Sequence, residues 1–170
     1  CIGSTYQGGI IFYLDGNGGG LISAPTDQSS GAQWGCYGTN ITGAGGTAIG
    51  TGTQNTIDII NANCTSSNGS PTAADICANL TLGGYSDWFL PSKDELNEMY
   101  LNKAAIGGFA TNYYWSSTES SLTNAWSQYF FNGGQFNYYG KYYNYGVRAV
   151  RAFSSTSTSL GCTDSTAFNY

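Results

Sequence analysis

The sequence predicts a single α+β domain, on three observations. Aromatic and β-branched runs of strand length, broken by Asn-Gly-type pairs, crowd the C-terminal half, where 15 of the 26 aromatic residues lie between positions 109 and 153. Such runs read as short antiparallel strands joined by tight turns. Ser92-Lys93-Asp94-Glu95 spells a capping box, in which two side chains satisfy orphan backbone N–H groups at a helix start. At 170 residues the chain is long enough to bury one real core.

Residues 3–14 form the first expected strand, with Gly8-Gly9 permitting close backbone approach ahead of Ile10-Ile11-Phe12-Tyr13-Leu14. Residues 15–20 are a turn, because Asp-Gly and Asn-Gly pairs supply the positive φ a hairpin needs; residues 21–24 return. This glycine-rich turn is no phosphate loop, since it has no Lys and no helix after it. Asp15 and Asn17 are potential Ca2+ ligands, but the further acidic positions of an EF-hand are missing. Residues 25–53 are a long polar loop anchored by Trp34 and Cys36. Residues 54–63 and 71–80 carry apolar side chains at helical spacing, the second with Pro71 near its first turn. The third helix starts at Ser92 and buries Leu96, Met99 and Tyr100. Glu95 and Glu98 cap it and face solvent, and do not read as a catalytic pair. Residues 132–135 are a hairpin turn, and 140–144 the next. A Ser/Thr-rich linker is expected at 154–160, which leaves 1–153 as the domain and 161–170 as the start of a truncated Cys/Asp-type repeat.

Only 9% of residues are charged, against roughly 25% in ordinary soluble domains. The net charge is −5, and no Lys or Arg precedes Lys93. That excludes the basic patches that nucleic acid or an anionic membrane surface demands. No window approaches the ~20 apolar residues of a spanning helix. Five cysteines without histidine, and without a C-x-x-C pair, point to disulfides in an oxidising compartment rather than to zinc. Cys64 and Cys77 enclose a short polar loop and are the expected pair; Cys1 with Cys36 is what remains, leaving Cys162 over. The expected location is extracellular or on a bacterial surface. The abrupt start at Cys1 and end at Tyr170 read as a trimmed piece of a longer chain, with a lipidated Cys1 as a lesser alternative.

Trp88, Trp115 and Trp126 read as core. The acids beside them, Asp87 and Glu119, and the only arginines, Arg148 and Arg151, are expected to form at least one buried ion pair, since either charge buried alone costs several kcal/mol. Successive strand residues face opposite sides, so about half the tyrosines around 138–143 must meet solvent. Exposed Tyr beside Asn and Gln suits stacking on a sugar or gripping a protein. The candidate contact residues are Asn132, Gln135, Asn137, Tyr138, Tyr139, Lys141, Tyr142, Tyr143 and Asn144. Two uses follow: a recognition or adhesion module for a glycan or protein outside the cell, or a filament subunit that packs this face on copies of itself. An enzyme is disfavoured by the absence of histidine and of any nucleophile–base pair.

Three ordered blocks carry a resemblance: Gly84-Tyr85-Ser86-Asp87-Trp88-Phe89-Leu90-Pro91-Ser92-Lys93-Asp94-Glu95-Leu96, Tyr114-Trp115-Ser116-Ser117-Thr118-Glu119 and Val147-Arg148-Ala149-Val150-Arg151. They resemble a bacterial domain family that includes the C-terminal domain of the Legionella collagen-like adhesin. The opening Tyr6-Gln7-Gly8-Gly9-Ile10-Ile11-Phe12-Tyr13-Leu14-Asp15 looks like the start of such domains. The family position after Asp-Trp is often Arg; here it is Phe89. The resemblance implies a C-type-lectin-like fold with short helices, a central antiparallel sheet and long disulfide-tied loops, related to the formylglycine-generating and sulfatase-modifying group. It implies adhesion, with a glycosaminoglycan-binding trimer among its members, although an acidic chain fits neutral glycans or proteins better. The cysteines that catalytic relatives use are absent between Cys77 and Cys162. The tail from Gly161 resembles Asp-rich secreted repeats, some built around calcium.

Overall fold

A computed structural model describes residues 1–154; beyond Ser154, the expected linker, the repeat start at 161–170 and Cys162 lie outside the described residues. Residues 3–14 are not one strand, although the apolar run at 10–14 lies within one. Gln7 and Gly8 have φ of 48° and 85°, the two positive values a type I′ hairpin turn requires. The chain therefore folds back between β1 (Thr5–Tyr6) and β2 (Gly9–Leu14). Gly8 also lies so close to Gly83 that a Cβ would sit 2.5 Å from its Cα. Across the next turn Asp15 Oδ1 accepts the N–H groups of Asn17 and Gly19 at 2.7 and 2.9 Å. That turn brings back β3 (Gly20–Ser23), which pairs with the last strand, β9 (Val150–Phe153).

The first sheet runs β1-β2-β3-β9. The second joins β4 (Ser29–Ala32), β8 (Tyr145–Val147), β5 (Tyr113–Glu119), β6 (Asn124–Tyr129) and β7 (Gln135–Gly140), in that order. So the fold class is α+β, while the expected central antiparallel sheet is two sheets, and β5 and β8 pair in parallel. Residues 132–135 do close a hairpin, with Gly133 at φ 81°. The turn at 140–144 does not: it carries the chain from edge strand β7 past β6 and β5 to β8.

Four helices, α1 (Gly52–Asn61), α2 (Ala73–Ala78), α3 (Lys93–Leu101) and α4 (Lys103–Ile106), complete the domain. α3 begins with its capping box: Ser92 Oγ accepts the Glu95 N–H at 3.3 Å, and Glu95 Oε2 accepts the Ser92 N–H at 2.7 Å. Glu95 is fully buried rather than solvent-facing, and its Oε1 also accepts the Gly50 N–H at 2.8 Å. Burial pushes its pKa up. α2 uses the same device, Thr72 with Asp75, at 3.3 and 3.0 Å. Thr72 holds the cap, so Pro71 lies just outside the helix.

Strands β2, β3 and β5 are packed on both faces. Ile11, Ile22 and Trp115 fall in one apolar cluster with Trp34, Ile59 and Trp88. Their chain neighbours Phe12, Leu21 and Tyr114 fall in the other with Leu96, Met99 and Phe130. This is the period-2 alternation of a strand buried on both sides. The buried indoles are satisfied: Trp34 donates to Ser116 O and Trp115 to Ala32 O, each at 2.9 Å.

The disulfide expectation needs correction. Cys64 bonds to Cys36, not to Cys77, and Cys36 is therefore unavailable to Cys1. Cys77 points from α2 into the core with no solvent exposure, and burial pushes its thiol pKa up. Cys36, at a left-handed φ of 51°, is placed beside Cys64 by its own N–H bond to Thr65 O at 3.3 Å.

Candidate ligand-binding face

Three charge pairs tie loops to the sheets, buried to different degrees. Arg151 donates through Nε to Asp87 and through Nη1 to Gln7 Oε1, and its guanidinium stacks 3.8 Å from the Tyr85 ring centroid. Arg148 is fully buried and pairs at 2.7 Å with Asp27, a residue outside the expected set. The same carboxylate accepts the Tyr114 hydroxyl at 2.7 Å. Glu119 pairs with no arginine; its partner is Lys141, at 2.6 Å.

Lys141 thus leaves the list of contact residues. Its side chain has no exposure, because the turn after β7 dives under the loops. There Nζ donates to Glu119, to Thr39 O at 2.9 Å and to Leu122 O at 3.2 Å, over the Trp34 ring. Burial lowers its pKa. Gln135 also turns inward, donating to Lys93 O at 3.2 Å. Asn132 closes its own turn by accepting the Gly134 N–H at 3.0 Å. Asn137 is exposed, with its carbonyl taken by Ser120 Oγ. Asn144 lines a separate cavity of 240 Å³ with Gln33 and Ile76.

The four remaining candidates, Tyr138, Tyr139, Tyr142 and Tyr143, do come together. A bulge explains how. Between the pairs Ser127↔Phe136 and Ala125↔Tyr139, β7 has one residue more than β6. Phe136 and Tyr139, three apart, therefore share a face that simple alternation would split. Register adds Tyr113 opposite Tyr129 on the same side, and Tyr145 follows from β8.

These rings form a continuous aromatic surface. Tyr113 stacks on Tyr129 at 4.5 Å and on Tyr145 at 5.0 Å, centroid to centroid. Tyr145 stacks on Tyr143 at 5.7 Å, and Tyr143 on Tyr142 at 4.8 Å. Tyr139 stands edge-on at the centre, its hydroxyl 3.3 Å from that of Tyr113. From the distant 25–53 loop, Tyr37 meets Tyr142 edge-on at 5.0 Å. No sequence signal pointed to Tyr37; Tyr113 and Tyr129 were legible only as strand residues.

Exposure grades across this surface. Tyr145 is buried and Tyr113 and Tyr139 half-buried, whereas Tyr138, Tyr142, Tyr143 and Tyr37 are open to solvent. The pKa values are raised for Tyr138 by desolvation, for Tyr139 by the Tyr113 hydroxyl, for Tyr142 by Tyr143 and for Tyr145 by burial. Beyond Tyr37 the face continues into a 470 Å³ groove beside the Cys36–Cys64 disulfide, walled by Thr39, Asn63, Thr65 and Ser67. Among the described residues, no three His, Cys, Asp or Glu side chains gather as a metal site, and no helix is long and apolar enough to cross a membrane.

Residues 24–151 match the family model described as the Lcl C-terminal domain. No curated protein matches the chain.

Proposed function

The chain belongs to the Lcl C-terminal domain family, and from that premise we propose that it is a non-enzymatic adhesion module displayed outside a bacterial cell, gripping a glycan or protein through its tyrosine face. The observation that carries this reading is the uncharged, continuous aromatic surface with four tyrosines open to solvent. Tyr offers a large rigid contact area with a hydroxyl at its edge, and orders few torsions on binding. A monomer with no partner has little reason to leave such rings grouped.

Beads coated with the domain should attach to a target cell surface. The triple variant Tyr138→Ser, Tyr142→Ser, Tyr143→Ser should lose attachment while keeping its melting temperature. Attachment unchanged in that variant would end the proposal.

A filament subunit is the second reading, favoured by the edge of the larger sheet. β7, Gln-Phe-Asn-Tyr-Tyr-Gly, carries none of the charges or prolines that normally guard an edge strand. A sizing measurement together with a glycan array separates the two. A monomer that binds sugars supports adhesion; concentration-dependent assembly with a silent array supports the filament.

A further inference from the structure

We infer that the partner is an extended, uncharged polysaccharide, lying over Tyr143, Tyr142 and Tyr37 and entering the groove beside the Cys36–Cys64 disulfide. This rests on the reading that the tyrosine face is the contact surface.

Charge sets the first part of the argument. The chain has five cations, and each is engaged elsewhere. Lys141 and Arg148 are buried in their ion pairs, Arg151 is paired with Asp87, Lys93 lies beside Asp94 and over Trp126, and Lys103 donates to Phe130 O at 2.8 Å. Nothing on the face answers a sulfate or carboxylate, and a net charge of −5 repels polyanions.

The second part is the pairing of two surfaces. A pyranose ring has an apolar C–H face and a rim of hydroxyls. The stacked rings of Tyr142 and Tyr143 provide the flat apolar platform, while the groove offers the Thr39 and Thr65 hydroxyls and the Asn63 amide, which both donate and accept. Tyr37 joins the two: its ring meets Tyr142 at 5.0 Å and also walls the groove. A protein hot spot centres on a pocket that water cannot reach; here the platform is open and leads into polar walls. At 470 Å³ the groove falls within the range of small-molecule clefts, about 300–1,000 Å³. Groove and platform together exceed what one sugar ring can cover.

The test is calorimetry with neutral gluco- and manno-oligosaccharides of increasing length, against heparin, on the wild type and on Tyr37→Ala and Tyr142→Ala. Both tyrosines are solvent-exposed (57% and 45%), so the variants keep the fold, checked by melting. Expected is one neutral series whose affinity rises about tenfold or more from mono- to tetrasaccharide. That affinity should be unmoved by salt between about 50 and about 500 mM, and should fall about tenfold in either variant. Preference for heparin, salt-sensitive binding, equal binding of the monosaccharide, or indifference to Tyr37→Ala would each overturn the inference. If no sugar binds while the triple tyrosine variant still abolishes bead attachment, this inference falls and the adhesion reading stands. If the triple variant attaches normally, the adhesion reading itself falls.

Discussion

Replacing Arg148 by alanine removes a cation with no access to water and four hydrogen bonds with it. Nε reaches Asp27 at 2.7 Å; Nη1 reaches Ala24 O at 3.0 Å and Gly107 O at 3.2 Å; Nη2 reaches Gly108 O at 2.6 Å. Its guanidinium also lies 4.0 Å from the Phe109 ring centroid. Asp27 keeps the Tyr114 hydroxyl but loses its counter-charge, and three carbonyls lose a donor. Breaking a buried pair from one side costs about 3–5 kcal/mol. Asp27 is 20% exposed, so water relieves part of its loss. Ala24 O keeps the Ser23 hydroxyl at 2.9 Å, and water can replace the lost donor at half-buried Gly107 and exposed Gly108, so the carbonyls add little. A cost of about 4 kcal/mol follows, or a melting point lower by about 8–16 °C for a domain of this size.

Arg151→Ala is the internal control. The chemistry is the same, but the Asp87 side chain is 62% exposed, so that variant should cost no more than about 2 kcal/mol. Urea unfolding followed by tryptophan fluorescence measures both, with unchanged m confirming that only stability moved. Equal losses in the two variants, or a loss below about 1 kcal/mol for Arg148→Ala, would refute the argument from burial.

Other outcomes follow from the same structure. Lys141→Met should destabilise by about 3 kcal/mol because Glu119 is left charged and nearly buried, and adding Glu119→Gln should recover part of that loss; a double variant no better than the single would contradict the pairing. Tyr114 is held at about 12, chiefly by burial. A raised folded value gives stability that is fully present below the unfolded pKa of about 10 and lost as pH climbs through the folded one. The drop in urea midpoint between about pH 8 and about pH 11 should therefore shrink in Tyr114→Phe, and an unchanged drop would show that another group governs alkaline unfolding. Opening the Cys36–Cys64 bond, which spans 28 residues, by a double Ser substitution should cost about 3–4 kcal/mol.

Much of this fold was legible where the signal is local. Ser92 and Glu95 lie three residues apart, and the cap they form needs nothing else. The 15–20 and 132–135 turns were legible for the same reason, since Asn-Gly chemistry acts within four residues. What escaped depends on contacts made across the chain. Asp27 is 121 residues from Arg148, and no pattern near it marks it as a partner. Lys141 looked like a surface residue among tyrosines; only the crossing from β7 to β8 turns it under Thr39 and Leu122. The face was half legible. Tyrosines 138 to 143 announced themselves by composition, but alternation alone would have scattered Phe136 and Tyr139, and the bulge that unites them has no sequence signature.

Cys77 has a consequence for how the protein reaches its native state. It lies thirteen positions after Cys64, whereas Cys36 lies 28 before it. In the unfolded chain the shorter loop closes about threefold more often by ring-closure entropy. Oxidation ahead of folding therefore favours the wrong partner and holds outside the core a cysteine that α2 must bury. The native bridge wins only once packing has hidden the Cys77 thiol, so oxidation state becomes a report on core formation. An oxidative refolding time course should accordingly show Cys64–Cys77 isomers early, and Cys77→Ala should raise the yield of native protein.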